Sequence, residues 1–173
     1  MTSGVPTTAE IASARGLLDG VIESTPLSHS RWLDQVAGRP VWLKCENLQR
    51  TGSFKIRGAY TRISRLSDTE RARGVVAASA GNHAQGVALA ARMVGAKATI
   101  FMPHGAALPK VQATLGYGAD VDFAGTGVTE ALDAAHEFAE RTGAVLIHPF
   151  DHRDIVMGQA TIGPEILDQA QAA

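Results

Sequence analysis

The chain has 173 residues, with 16 Lys and Arg against 17 Asp and Glu, a length suited to one domain or to one domain and part of another. Hydrophobic residues make up 45% and charged residues 19%, so the chain can bury a core, and its near-neutral charge argues against broad electrostatic binding of nucleic acid. A single cysteine excludes an intrachain disulfide and fits a reducing, cytoplasmic setting; no run of about 18 apolar residues suggests a membrane span, and residues 1–10 lack the pattern of a secretory signal.

In chain order, the first ten residues are small and polar and are expected to fray. Residues 11–22 can form a short helix, and Pro26 bends the chain after Thr25. Residues 41–46 read as a strand and 47–53 as a polar loop. Ser53 is a good N-cap for a helix over 54–66, which carries Ile56, Tyr60 and Ile63 at helical spacing. A short apolar strand over 74–78, an alanine-rich helix over 82–93 and a strand over 98–102 follow. Further on come a helix over 110–115, a strand over 119–123, a helix over 129–141 with Gly143 as its C-cap, a strand over 144–147 and a helix over 161–171. Strands alternating with helices at this spacing imply βαβ units: an α/β fold with a parallel sheet, helices on both faces and ligands beyond the carboxyl ends of the strands. The chain stops inside a helical pattern, which suggests truncation.

Two segments carry chemistry. Ser79-Ala80-Gly81-Asn82-His83 joins a strand to a helix; its small residues let backbone N–H groups approach an anion at the helix N-terminus. The plainer reading is a turn capped by Ser79 or Asn82. In Thr51-Gly52-Ser53-Phe54-Lys55-Ile56-Arg57-Gly58-Ala59, Lys55 lies in the first turn of a helix, where the helix end and desolvation both lower a lysine pKa, as a Schiff-base lysine requires. The plainer reading is a surface lysine. Gly125-Thr126-Gly127-Val128-Thr129-Glu130 imitates a dinucleotide fingerprint, but Glu130 would repel a pyrophosphate. His148 and His152 straddle Pro149 and lack a third ligand, so no metal is expected. His29, His104 and His136 read as surface residues, and Cys45 as a core residue rather than a nucleophile.

Together the segments are more specific. The run from Lys44-Cys45-Glu46 through Lys55-Ile56-Arg57-Gly58-Ala59-Tyr60 resembles the cofactor-lysine segment of the threonine dehydratases (threonine ammonia-lyases), which are pyridoxal-phosphate enzymes of the tryptophan-synthase-β-like group. Residues 74–88 resemble the asparagine loop of that family. Met102-Pro103, Lys110, Tyr117-Gly118-Ala119-Asp120-Val121, Pro149-Phe150-Asp151 and Gly158-Gln159 follow in the family's order. The likeness runs over about residues 25–167 and is nearer to the short, catabolic type.

The resemblance implies that Lys55 bonds pyridoxal 5′-phosphate and then acts as the base at the substrate's α-carbon. Phe54 would pack on the cofactor ring and Asn82 would hydrogen-bond its 3′-oxygen. Ser79, Ala80, Gly81 and His83 would surround the substrate carboxylate, largely through backbone donors. The reaction implied is β-elimination of water from L-threonine, giving an enamine that hydrolyses to 2-oxobutanoate and ammonia, with L-serine giving pyruvate in the same way. The setting would be amino-acid metabolism, including isoleucine biosynthesis, in a homo-oligomer that binds neither nucleic acid nor membrane. A serine racemase or serine dehydratase on the same scaffold, or a non-catalytic fragment, are the alternatives. Racemases of the group have a serine at the position of Ala80, so Ala80 favours the lyase. The implied domains are a large-domain piece at 1–51, a small α/β domain at 52–151 and the start of the remaining large domain at 152–173. The family's glycine-rich phosphate loop comes after Gly158-Gln159 in the family's order and has no counterpart before Ala173. Ala160 replaces a usual glycine, and Ala106-Ala107-Leu108-Pro109 departs from the usual Pro-x-x-Lys. The chain alone is therefore expected to be catalytically silent, with its flanking segments loose or self-associated.

Overall fold

The computed structural model describes residues 5–171. Its elements in chain order are α1 (Thr8–Leu17), β1 (Leu27–His29), α2 (Arg31–Ala37), β2 (Trp42–Lys44), a 3₁₀ turn (Glu46–Leu48), α3 (Lys55–Ser64), α4 (Asp68–Arg73), β3 (Val75–Ala78), α5 (Asn82–Met93), β4 (Ala98–Met102), α6 (Leu108–Gly116), β5 (Asp120–Phe123), α7 (Val128–Thr142), β6 (Val145–Leu146), α8 (Arg153–Ala160) and α9 (Ile162–Gln171).

Four strands form a parallel sheet in the order β5-β4-β3-β6. The connections β3-α5-β4 and β4-α6-β5 step in one direction, whereas β5-α7-β6 steps back past β3. Right-handed crossovers therefore put α5 and α6 on one face and α7 on the other. The core divides accordingly. Val75, Ala77, Ala98, Ile100 and Met102 pack with α3, α5 and α6, while Val76, Ala78 and Phe101 pack with Ala131, Ala135 and Phe138 of α7. This period-two division explains why β3 and β4 read as unbroken apolar runs: both of their faces are covered. The Phe101 and Phe138 rings meet edge to face at 5.6 Å. A separate antiparallel pair, β1 with β2, sets Leu27 opposite Lys44 and His29 opposite Trp42.

The α/β architecture matches the sequence reading, and α5 and β4 begin and end where expected. Other boundaries differ. The helix expected over 11–22 starts at Thr8, because Thr7 and Glu10 form a capping box, and it ends before Leu18. That start also corrects the fraying expected of the first ten residues, of which 1–4 lie outside the described residues. The strand expected over 41–46 shortens to β2, and the loop expected after it contains a 3₁₀ turn. Three short helices were not legible as periodic patterns. α2 has Ser30 as its cap and Gly38 in the left-handed region, α4 has a Ser67–Glu70 capping box, and α8 has His152 as its cap. In each, cap chemistry outweighs a short apolar stripe. Cys45 is half-buried rather than in the core, its Sγ 3.5 Å from the Leu43 carbonyl.

The flanks are not loose. Arg153 pairs with Glu10, Arg65 with Asp154, Arg15 with Asp168, and Lys44 with Glu165. Exposed apolar side chains nevertheless remain on these segments, among them Trp32, Trp42, Leu43 and Leu167.

Candidate functional site

The carboxyl ends of β3 and β6 lie side by side, and the chain leaves β3 toward one face of the sheet and reaches β6 from the other. Such a switch point opens a crevice. Three pieces of chain meet there: residues 79–81 leading into α5, residues 147–151 after β6, and the start of α3.

α3 is held against α5 by a glycine. A Cβ on Gly86 would sit 3.0 Å from the Lys55 carbonyl carbon and 3.2 Å from the Lys55 Cβ, so any larger residue would press the two helices apart by a few tenths of an ångström. The close approach brings the starts of α3 and α5 together. Neither start has a side-chain cap on its N-cap residue, Phe54 or Gly81, and the first-turn N–H groups of a helix have no partner within it. Ser53 Oγ accepts from the Lys55 N–H at 3.3 Å, so the residue expected as the N-cap acts from one position earlier.

Lys55 is half-buried. Its Nζ donates to the Pro149 carbonyl at 2.8 Å and lies 5.3 Å from the centre of the Phe54 ring. Desolvation holds its pKa below the usual lysine value. The His83 ring is buried, with Nε2 2.9 Å from the Ile147 carbonyl. Burial pushes the His83 pKa down to about 4, against the opposing hydrogen bond to Ile147, and the nearby Lys55 charge pushes the same way as burial. His83 is thus neutral near pH 7. Because a carbonyl can only accept, Nε2 carries the proton. The chain after β6 therefore receives both Lys55 and His83 on backbone carbonyls.

Asn82 is exposed at the first position of α5, and its Oδ1 accepts from Lys110 Nζ of α6 at 2.8 Å. With the amide oxygen engaged, the NH₂ is the group left to meet a ligand. Ser79 Oγ accepts from the Gly81 N–H at 3.1 Å, and a Cβ on Gly81 would meet nothing within 4 Å, so the loop borders open space. Phe54, Lys55, Ser79, Ala80, Gly81, Asn82 and His83 all fall on these two helix starts and their lead-in. The His83 side chain is the exception in role: it is turned to Ile147, leaving its backbone N–H for the site.

Sequence reasoning missed Lys110 as a partner of Asn82, since 28 residues separate them. It also missed the Pro149 carbonyl, since any residue offers a backbone carbonyl. The competing motifs are occupied by local structure. Glu130 Oε2 accepts from the N–H groups of Thr126 and Gly127, filling the loop that imitates a dinucleotide site. The Nδ1 atoms of His148 and His152 accept from the backbones of Asp151 and Asp154. His104 stacks on Phe123, and His29 pairs with Asp34.

Residues 18–173 match the family described as pyridoxal-phosphate dependent enzyme. The chain is 52% identical over 162 residues to an L-threonine ammonia-lyase of Thermotoga maritima, covering 94% of this chain and 40% of that protein. It is 45% identical over 168 residues to a catabolic L-threonine dehydratase of Staphylococcus aureus, covering 96% of this chain and 49% of that protein. The structure of maize serine racemase superposes with a TM-score of 0.92 at 34% identity, over 97% of this chain and 51% of that one. The chain thus spans about half the length, or less, of these relatives.

Proposed function

Because the chain belongs to the pyridoxal-phosphate-dependent enzyme family, we propose that Lys55 is its cofactor lysine and that the whole protein eliminates water from L-threonine, and also from L-serine, to an enamine that water then hydrolyses to 2-oxobutanoate or pyruvate and ammonia. The observation that carries this reading is the half-buried Lys55 amine at the meeting of two helix starts, above an open loop. The residues present fit the ring end of the cofactor: an amine of lowered basicity, an aromatic face beside it, and an amide whose NH₂ is left to donate.

Pyridoxal phosphate, when bound, supplies the electron sink that makes the substrate's α-proton removable. The chain's own residues supply the rest. Desolvation keeps a larger share of Lys55 uncharged near neutral pH, and an uncharged amine is both a nucleophile and a base at the α-carbon. Phe54, whose ring centre lies 5.3 Å from the Lys55 amine, would pack against the cofactor ring. Lys110 holds the Asn82 oxygen, so the Asn82 NH₂ would be left to donate to the cofactor's 3′-oxygen. The backbone N–H groups of Ala80 and His83 would receive the substrate carboxylate, aided by the positive end of α5, while Ser79 and Gly81 shape the loop around it, the Ser79 N–H donating to the Phe101 carbonyl and the Gly81 N–H to Ser79 Oγ. The neutral His83 ring keeps a second positive charge away from Lys55.

The Ala80 methyl cannot donate a proton from the face opposite Lys55, which favours elimination over racemisation. The serine racemase likeness supports the second reading, a racemase on the same scaffold. We read residues 52–151 as a small domain flanked by large-domain pieces at 1–51 and 152–173, in a cytoplasmic homo-oligomer of amino-acid metabolism that feeds isoleucine biosynthesis. Borohydride reduction of the cofactor-loaded whole protein, followed by peptide mapping, is expected to label Lys55; label on Lys44 or Lys110 instead overturns the assignment. Chiral analysis of the products from L-serine is expected to show pyruvate with little D-serine. D-serine formed as fast as pyruvate overturns the lyase reading.

A further inference from the structure

Arg57 lies two residues beyond Lys55 in the first turn of α3, and its side chain is fully buried. All five of its guanidinium N–H donors are engaged. Nε and Nη2 grip Glu46 at 2.8 Å each; Nη1 and Nη2 grip Glu165 at 2.6 and 2.9 Å; and Nη1 also donates to Thr161 Oγ1 at 3.1 Å. Glu46 lies in the turn after β2, and Thr161 and Glu165 lie at the start of α9, so one side chain joins three stretches of chain. The two carboxylates are met by two cations, because Lys44 Nζ lies 2.9 Å from Glu165. Lys44 also donates to the Thr25 carbonyl, and Thr25 Oγ1 donates to Glu46 at 2.6 Å.

Helix packing puts Arg57 within reach. A Cβ on Gly158 would lie 2.5 Å from the Arg57 carbonyl oxygen and 2.6 Å from the Gly58 Cα, so α8 crosses α3 at backbone contact and delivers α9 to the guanidinium. Buried ion clusters are seldom more stable than well-packed apolar side chains of the same volume. Stability alone therefore does not account for a fully forked arginine here. A fork gripped by two carboxylates from different segments does what apolar packing does poorly: it sets the orientation of the helix turn that bears it.

We propose that Arg57 is a positioning residue, its ion cluster fixing the first turn of α3 and hence the Lys55 amine against the flanking segments. The inference rests on Lys55 as the cofactor lysine and extends it to the device that aims that lysine.

The test separates aim from stability. In the whole protein, the combined variant Lys44→Met, Glu46→Leu, Arg57→Met and Glu165→Leu removes the fork without leaving an unpaired charge. Its melting temperature is expected to equal or exceed the parent's. Backbone amides of residues 55–58 in the cofactor-free protein are expected to exchange faster, and kcat to fall by about 10²-fold, the scale of a misplaced reacting group, with KM little changed. A stable variant with parental exchange and parental kcat overturns the proposal. Should that variant not fold, Arg57→Lys decides by the same readings, since lysine keeps the charge but cannot fork. Parental exchange and kcat in Arg57→Lys overturn the proposal, whereas faster exchange with a kcat-specific loss supports it. Borohydride label on another lysine of the parent would instead defeat the reading of Lys55, and the exchange of residues 55–58 would still report whether Arg57 orders that turn.

Discussion

The sheet region is held by apolar packing, whereas the flanking segments add charged ties to their own buried apolar side chains, Leu18, Ile155 and Met157 among them. Around β3 and β4 both faces of the strands are sealed by alanine, valine, isoleucine and phenylalanine, and the ion pairs there, Arg71–Asp68 and Lys97–Asp120, are exposed. Where residues 5–51 and 152–171 meet α3 and one another, charged ties are added: Arg57 with Glu46 and Glu165, Lys44 with Glu165, Arg153 with Glu10, and Arg65 with Asp154. Apolar burial is non-directional and tolerates small shifts, whereas a forked ion pair is directional and fails when one partner goes. Lys55 stands where the two regimes meet, so its chemistry draws on the rigid sheet for α5 and on the ionic joint for α3.

The largest expected effect separates chemistry from stability. Lys55→Ala in the whole protein should lower the rate of 2-oxobutanoate formation by about 10⁴-fold. Its urea midpoint should stay near the parent's, since the amine is half-exposed and has one carbonyl partner.

Next comes the ionic joint. Arg57→Met leaves Glu46 and Glu165 facing each other without their shared cation and should cost about 3–5 kcal/mol in urea unfolding. A loss near zero would mean that the joint is not a structural tie and that the contrast between the regions is false.

A third measurement finds the pH sensitivity hidden in the sheet region. The folded chain holds His83 at a pKa of about 4, below its ordinary 6.5. Below pH 6.5 the unfolded chain therefore takes up a proton that the folded chain refuses. Stability is full above that pH and falls as pH drops from 6.5 to about 4, by on the order of 3 kcal/mol. Urea titrations across that range should show the decline, and His83→Gln should flatten it.

The smallest effect belongs to the apolar core. Ile100→Val removes one methylene from a fully buried side chain of β4 and should cost about 1 kcal/mol, with the same value at pH 5 and pH 8. A marked pH dependence in that difference would show that the sheet and the charged groups are coupled.

Much of this was legible in the residues. The apolar runs of β3 and β4 and the alanine-rich α5 announce themselves because a doubly covered parallel strand and a buried helix need only local composition. Gly143 marks the end of α7 because its left-handed φ of 73° suits glycine. The short helices α2, α4 and α8 escaped because seven, six and eight residues carry too few turns to display a period, although their caps were present in the sequence.

The local pattern decided the α/β class, the Lys55 and Asn82 segments and their place at helix starts, because each depends on neighbours within a few turns of chain. Only the folded chain decided which distant groups complete them. Pro149 offers Lys55 a carbonyl from 94 residues away, Ile147 takes His83 from 64 away, and Glu165 takes Arg57 from 108 away. A carbonyl is common to every residue and a carboxylate to many, so their types point to no partner. The crossing of α3 with α5 at Gly86, and with α8 at Gly158, brings them within hydrogen-bond reach.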